Sequence, residues 1–184
     1  MPYGAAFVDY DRDGSVDLWI TQYDDASGPQ RDRLYRNAGD GVFREVAEAQ
    51  GIESEPWRSI GDLNSAEAHT RAWAALACDV DDDGWPELLS SSYGRSPNHL
   101  WHAQGDGTYV NESISSGYAF DGRQDWSDNE SARCWCTLNP TDDDCEGIPE
   151  AERISCNRDG DAFRWDHDYD REPFRLGGNS GATL

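Results

Sequence analysis

Lysine is absent from this chain of 184 residues, and all 15 of its basic side chains are arginine. Against 37 Asp and Glu residues they leave a formal net charge of −22. So little positive charge excludes nucleic acid as a natural partner, because binding a phosphate backbone needs clustered cations. It argues equally against attraction to an anionic membrane surface. Long apolar runs are also missing. None approaches the ~20 residues that a membrane-spanning helix requires. Helical periodicity is nearly absent, with a weak trace at Glu45–Gln50. Cysteine is scarce, and four of the five lie in one stretch. What remains is one domain's worth of residues, long enough for a core and rich in Trp and Tyr, with eight of each. The lysine-free, acidic composition by itself fits a salt-adapted, solvating surface.

The acidic residues are not scattered evenly. Asp9-Tyr10-Asp11-Arg12-Asp13-Gly14-Ser15-Val16-Asp17 and Asp79-Val80-Asp81-Asp82-Asp83-Gly84-Trp85-Pro86-Glu87 both read D-x-D-x-D-G-x-x-[D/E]. Carboxylates at positions 1, 3 and 5 of such a loop can converge on one point. The glycine permits the sharp turn, position 7 can offer a backbone carbonyl, and position 9 returns a last carboxylate. An oxygen cage of that kind suits Ca²⁺, which takes six to eight oxygen ligands in flexible geometry. The alternative is a solvated acidic loop in which Asp and Gly merely form turns. Repulsion counts against it. Unit charges ~4 Å apart repel by about 1 kcal/mol even in water, so a folded loop that gathers four carboxylates needs a cation.

The flanking residues recur with the loops. Gly4-Ala5-Ala6-Phe7-Val8 precedes the first and Ala74-Ala75-Leu76-Ala77-Cys78 the second. Leu18-Trp19-Ile20-Thr21 and Leu88-Leu89-Ser90-Ser91 follow them. Leu34-Tyr35-Arg36-Asn37-Ala38-Gly39-Asp40-Gly41-Val42-Phe43 then matches Leu100-Trp101-His102-Ala103-Gln104-Gly105-Asp106-Gly107-Thr108-Tyr109. A fixed period of this kind marks a repeat architecture. Each unit reads as four short strands. The acidic loop joins the first two, and a G-D-G hairpin signal joins the last two. Four antiparallel strands per unit describe a propeller blade.

These residues resemble the FG-GAP/VCBS repeats of calcium-binding β-propellers, notably bacterial relatives of cartilage acidic protein and, more distantly, integrin α-subunit heads. The likeness covers residues 4–52 well and 73–118 fairly well. It implies one Ca²⁺ per loop. The side-chain ligands would be Asp9, Asp11, Asp13 and Asp17 in the first loop and Asp79, Asp81, Asp83 and Glu87 in the second. The backbone carbonyls of Ser15 and Trp85 would complete the two sets. The second loop departs from the pattern at Glu87, where the family has Asp.

The expected fold is all-β: two four-stranded antiparallel blades of a β-propeller, a partial ring, with a disulfide-bearing insertion. The expected units are residues 1–72 and 73–118 as blades with calcium loops, 119–176 as the insertion, and 177–184 as the start of a third repeat. Two blades do not close a ring. The chain is therefore expected to be a fragment of a longer secreted protein. A protomer completed by assembly, or an insertion that replaces missing blades, is the alternative.

Inside the insertion, Cys134, Cys136, Cys145 and Cys156 are expected to form disulfides. Cys134 and Cys136 would bond outward to the other two, although sequence does not choose among the three pairings. Zinc is the rival reading, but the spacings match no common zinc knuckle. Cys78 reads as a small buried hydrophobe. Asp166, Asp168 and Asp170 repeat the D-x-D-x-D spacing and make a weaker third cation site, although Arg171 stands where the glycine belongs. The many Trp and Tyr residues read first as blade packing, but exposed ones in the insertion, such as Trp126, Trp135 and Trp165, could stack on sugars or on a partner chain.

The leading functional expectation is an extracellular or cell-surface module, of bacterial type, that is stabilised by calcium and binds a protein or glycan ligand. A structural subunit that contacts neighbouring copies is a second expectation. A polysaccharide-active enzyme is a third, with His69, His99, His102 and His167 as acid–base candidates. No spacing singles out a catalytic set.

Overall fold

The structure, a computed structural model, describes residues 2–25, 28–56, 59–92, 96–120, 126, 130–150, 154–157 and 164–167. At 24–25, 28–29, 130–131, 154–157 and 164–167 only the backbone is described. The first sheet is built from β1 (Pro2–Val8), β2 (Asp17–Gln22), β5 (Arg33–Asn37) and β6 (Phe43–Glu45), in that spatial order. Between β2 and β5 lies a small ladder of β3 (Asp24–Asp25) and β4 (Gly28–Pro29). The second sheet holds β7 (Ala72–Cys78), β8 (Glu87–Ser92), β9 (His99–Ala103) and β10 (Tyr109–Asn111). All pairings in both four-stranded sheets are antiparallel.

The two ladders run in the same register. Val8 faces Asp17 and Phe7 faces Leu18, as Cys78 faces Glu87 and Ala77 faces Leu88. Leu18 then faces Tyr35, as Leu88 faces Trp101. Arg36 faces Arg44, as His102 faces Val110. Even the irregularity in the first pairing matches, lying between Pro2 and Gly4 in one sheet and between Ala72 and Ala74 in the other.

The sheets pack face to face because their first strands carry small residues. A Cβ on Gly4 would lie 2.5 Å from the Ala75 nitrogen and 2.6 Å from Thr21 Oγ1, so only glycine admits the second backbone so close. Trp19 fills the space beyond. It is fully buried and donates from Nε1 to the Leu89 carbonyl of the other sheet at 3.1 Å. Around it cluster Val8, Tyr10, Leu34, Leu88, Trp101 and Tyr109, drawn from both sheets.

Antiparallel pairing sorts the connections into two ends. Residues 9–16 and 79–86 and the G-D-G turns sit at one end, where Arg12 of the first acidic loop stacks over Trp85 of the second at 5.2 Å. The connections 46–71 and 112–120 leave from the other end. There the weak helical trace becomes one 3₁₀ turn, Glu48–Gln50, followed by the short helix α1 (Ile60–Asn64) with a complete capping box from Ser59 and Asp62.

Regular structure runs into the insertion. It contains α2 (Glu130–Leu138), a 3₁₀ turn at Asp143–Cys145 and a two-stranded ladder of β11 (Ile154–Asn157) and β12 (Arg164–His167). Ala132 and Cys136, four residues apart, lie on one helix face and join a second core with Ile60, Leu63, Ala68 and Trp126. Cys136 is bonded to Cys145, and Cys134 is also in a disulfide. Cysteines two apart on a helix point ~200° apart, so the C-x-C pair has to bond in different directions. The side chain of Cys156 lies outside those described. Trp126 is not an exposed stacking platform: it is 2% exposed and donates to Asn64 Oδ1 at 2.6 Å. Trp135 is half-buried and donates to Asp142 Oδ2 at 2.8 Å. The Trp165 side chain lies outside those described.

Candidate metal centres

The two acidic loops have matching backbones. Arg12 and Asp82 take positive φ (57° and 63°), as do Gly14 and Gly84 (87° and 90°). The hydrogen bonds match too. Asp9 Oδ2 accepts from the Gly14 N–H at 3.1 Å, and Asp79 Oδ2 from that of Gly84 at 2.8 Å. Asp11 Oδ1 and Asp81 Oδ1 accept from the N–H of Asp13 and Asp83, both at 3.2 Å. Asp13 Oδ1 and Asp83 Oδ1 accept from the N–H of Ser15 and Trp85, both at 2.8 Å. Donation from Ser15 N–H is the main reason that the Asp13 carboxyl sits below the usual carboxylate range.

These bonds turn the carboxylates inward. One oxygen from each of Asp9, Asp11 and Asp13 lies within 4.8 Å of the others, and the same holds for Asp79, Asp81 and Asp83. Asp9 Oδ1 is buried and has no hydrogen-bond partner. A buried acceptor left orphaned in a group of three carboxylates fits a hard cation such as Ca²⁺.

Asp17 and Glu87, the ninth residues, lie outside those trios. Both are 0% exposed. Asp17 accepts the Tyr10 N–H at 3.2 Å on Oδ2 and the Asn37 N–H at 2.8 Å on Oδ1. It therefore clamps the start of the loop to the end of β5. Burial pushes its carboxyl pKa up, while the Asn37 and Tyr10 bonds pull it back. Glu87 does the same in the second sheet, taking the Val80 N–H at 2.8 Å and the Ala103 N–H at 3.5 Å. Its longer arm spans an equivalent gap.

Two participants were not placed at these loops by sequence. Arg36 sets Nε 2.6 Å from Asp11 Oδ2 and a terminal nitrogen 3.0 Å from Asp13 Oδ2. His102, at the matching place on β9, sets Nδ1 3.3 Å from Glu87 Oε1 and 3.7 Å from Asp81 Oδ2. The shared signal was the third position of L-Y-R-N and L-W-H-A. The first loop holds four carboxylates against Arg12, whereas the second holds five with no basic residue between positions 79 and 87.

The other histidines have different surroundings. His69 Nδ1 pairs with Ser54 Oγ at 2.6 Å, and burial lowers its pKa to about 4. His99 is 1% exposed, sits edge-on to Trp101, and is likewise lowered to about 4 by burial. The His167 side chain lies outside those described. So do Asp168 and Asp170 and the side chain of Asp166, the weaker third site. Cys78 is a free, half-buried thiol at the end of β7.

No protein-family model matches the chain, and no curated protein is similar to it beyond chance.

Proposed function

We propose that this chain is a calcium-stabilised, extracellular β-propeller-type binding module of the FG-GAP/VCBS kind, with structural Ca²⁺ in its two acidic loops. The observation that carries the reading is the hydrogen-bond pattern common to both loops, which converges three carboxylates in each. Matching positive-φ positions and three matching hydrogen bonds in the two loops are what a shared ligand would demand. The Cys136–Cys145 disulfide suits an oxidising, extracellular setting. The metal holds the rim formed by the loops and G-D-G turns. Recognition of a protein or glycan falls to the other end.

Calorimetric titration of resin-treated protein with Ca²⁺ tests this. Two sites are expected, and each is lost when its trio is broken by Asp13→Ala or Asp83→Ala. At 100-fold excess over Kd, each site adds about 2.7 kcal/mol of stability, so EGTA lowers the melting temperature. Absence of both binding heat and a chelation effect overturns the proposal.

A second reading, a structural subunit, is favoured by Phe7 and Tyr3, which are 75% and 53% exposed on the strand nearest the second sheet. Light scattering in the presence of calcium separates the two, since a strict monomer rejects the subunit.

A further inference from the structure

The two loops differ at one matched position, and the difference changes their chemistry. Arg36 and His102 hold the same place in the two ladders. A guanidinium has five donors and no lone pair to give, so Arg36 neutralises Asp11 and Asp13 but cannot ligate a metal. An imidazole can. His102 Nδ1 lies 3.3 Å from Glu87 Oε1 and 3.7 Å from Asp81 Oδ2, both long for a hydrogen bond.

The spacing suits a metal better than a proton. Donors around a tetrahedral Zn²⁺ at bond lengths of 2.0–2.1 Å stand roughly 3.3–3.4 Å apart along each edge. The Nδ1–Oε1 separation equals that edge, and the Nδ1–Oδ2 separation exceeds it by a few tenths of an ångström. Asp81, on the exposed side of the loop, can supply that movement, since its side chain is 45% exposed. Glu87 supplies rigidity. It is fully buried, and its Oε2 is fixed by the Val80 N–H at 2.8 Å. Among the described residues its Oε1 receives the distant Ala103 N–H at 3.5 Å, and it lies 3.3 Å from the imidazole Nδ1. The three ligand atoms lie within 4.8 Å of one another.

Ca²⁺ takes oxygen ligands, whereas imidazole suits zinc and its first-row neighbours. We infer that Asp81, Glu87 and His102 form a mixed nitrogen–oxygen site for a divalent first-row transition ion, with Zn²⁺ as the reference ion. It adjoins the all-oxygen trio and shares Asp81 with it, Oδ1 facing the loop and Oδ2 the imidazole. Three protein ligands leave a fourth position for water or an incoming donor. The site does not rest on calcium binding, and the first loop lacks an equivalent because Arg36 fills that place.

The test uses the full chain in chelator-free buffer, titrated with ZnCl₂ by calorimetry and with CoCl₂ by visible absorption. The expected result is one zinc per chain at this site and an intense tetrahedral cobalt band. His102→Ala should weaken zinc at least tenfold and remove the band. His167→Ala, which alters the other histidine beside aspartates, should leave both unchanged. If His102→Ala melts below the assay temperature, His102→Gln carries the same expectation. Zinc affinity unchanged in both His102 variants, or a weak octahedral cobalt spectrum in the unaltered chain, overturns the inference. A chain that binds zinc through His102 but no calcium upholds this site and rejects the calcium reading.

Discussion

Asp17 separates two roles that one carboxylate can play in an acidic loop. If it is chiefly a cation ligand, its removal matters only when calcium is present. The structure gives it a second task, because its two oxygens accept the N–H groups of Tyr10 and Asn37 at 3.2 and 2.8 Å from a fully buried position. Asp17→Ala leaves both donors without a partner. An unsatisfied buried donor costs about 1–3 kcal/mol, so the pair costs about 3 kcal/mol after partial relaxation. For a chain of this size, 1 kcal/mol moves the melting temperature by about 2–4 °C, which puts the expected drop near 6–12 °C. Asp17→Asn keeps one acceptor oxygen and should lose roughly half as much. Both drops should appear in metal-free buffer, followed by circular dichroism or calorimetry. Asp13→Ala is the contrast. Its exposed carboxylate caps the Ser15 turn and pairs with Arg36, so melting without metal should hardly change while cation affinity falls. Should Asp17→Ala melt like the unaltered chain in metal-free buffer and differ only with calcium, the clamp is refuted.

Three further outcomes follow from other parts of the fold. Asp32 is 5% exposed, and burial raises its pKa from 3.8 to about 7, despite the Gln22 N–H that it accepts at 2.8 Å. Its folded pKa lies above its unfolded one, so the contribution of this group is full below pH ~4 and is lost as pH rises to about 7, by at most about 4 kcal/mol. Asp32→Asn should flatten that fall and stabilise the protein above pH 7. Urea denaturation across pH checks this, and identical profiles would reject it. Replacing Cys145 by Ser opens the Cys136 loop of sequence separation 9, which the chain-entropy model values at about 2–3 kcal/mol, and limited proteolysis should then cut first near the second core. Gly4→Ala forces a Cβ to 2.5 Å from backbone, so overpacking of about 1–3 kcal/mol or more should separate the sheets, seen as lost Trp19 fluorescence shielding.

The sheets were legible because their signals are local and doubled. Small residues before each acidic loop, an apolar start to the segment after it and D-G at the hairpin fix the strand positions closely, and β2 and β8 begin at the last carboxylate of each loop. The trio of each loop was legible for the same reason. Asp17 and Glu87 were harder. Their spacing suits ligation, but which oxygens face backbone N–H groups depends on where β5 and β9 end, which is a tertiary fact. Helix α2 was hidden because E-S-A-R-C-W-C-T-L supplies one apolar face only when its cysteines count as apolar, and their bonding pointed instead to a loop. Trp126 was misread because exposure of an aromatic in a polar stretch depends on its cover, here α1 and α2 from two distant segments.

The sorting of connections to opposite ends makes the molecule two-sided in a practical sense. Every turn at the acidic rim is short and geometrically committed, because its carboxylates must meet backbone N–H groups a few residues away. At the far end side chains also cap backbone N–H groups, as Asp32 does for Gln22 and Asn98 for Ser92, yet there the chain already accommodates α1, α2 and a disulfide without altering strand register. Foreign peptide sequence introduced between Ile114 and Gly117 should therefore leave the rim's loop geometry intact. The same length introduced at Gly14 or Gly84 should abolish it. The fold thus serves as a scaffold with one fixed end and one that can be rewritten.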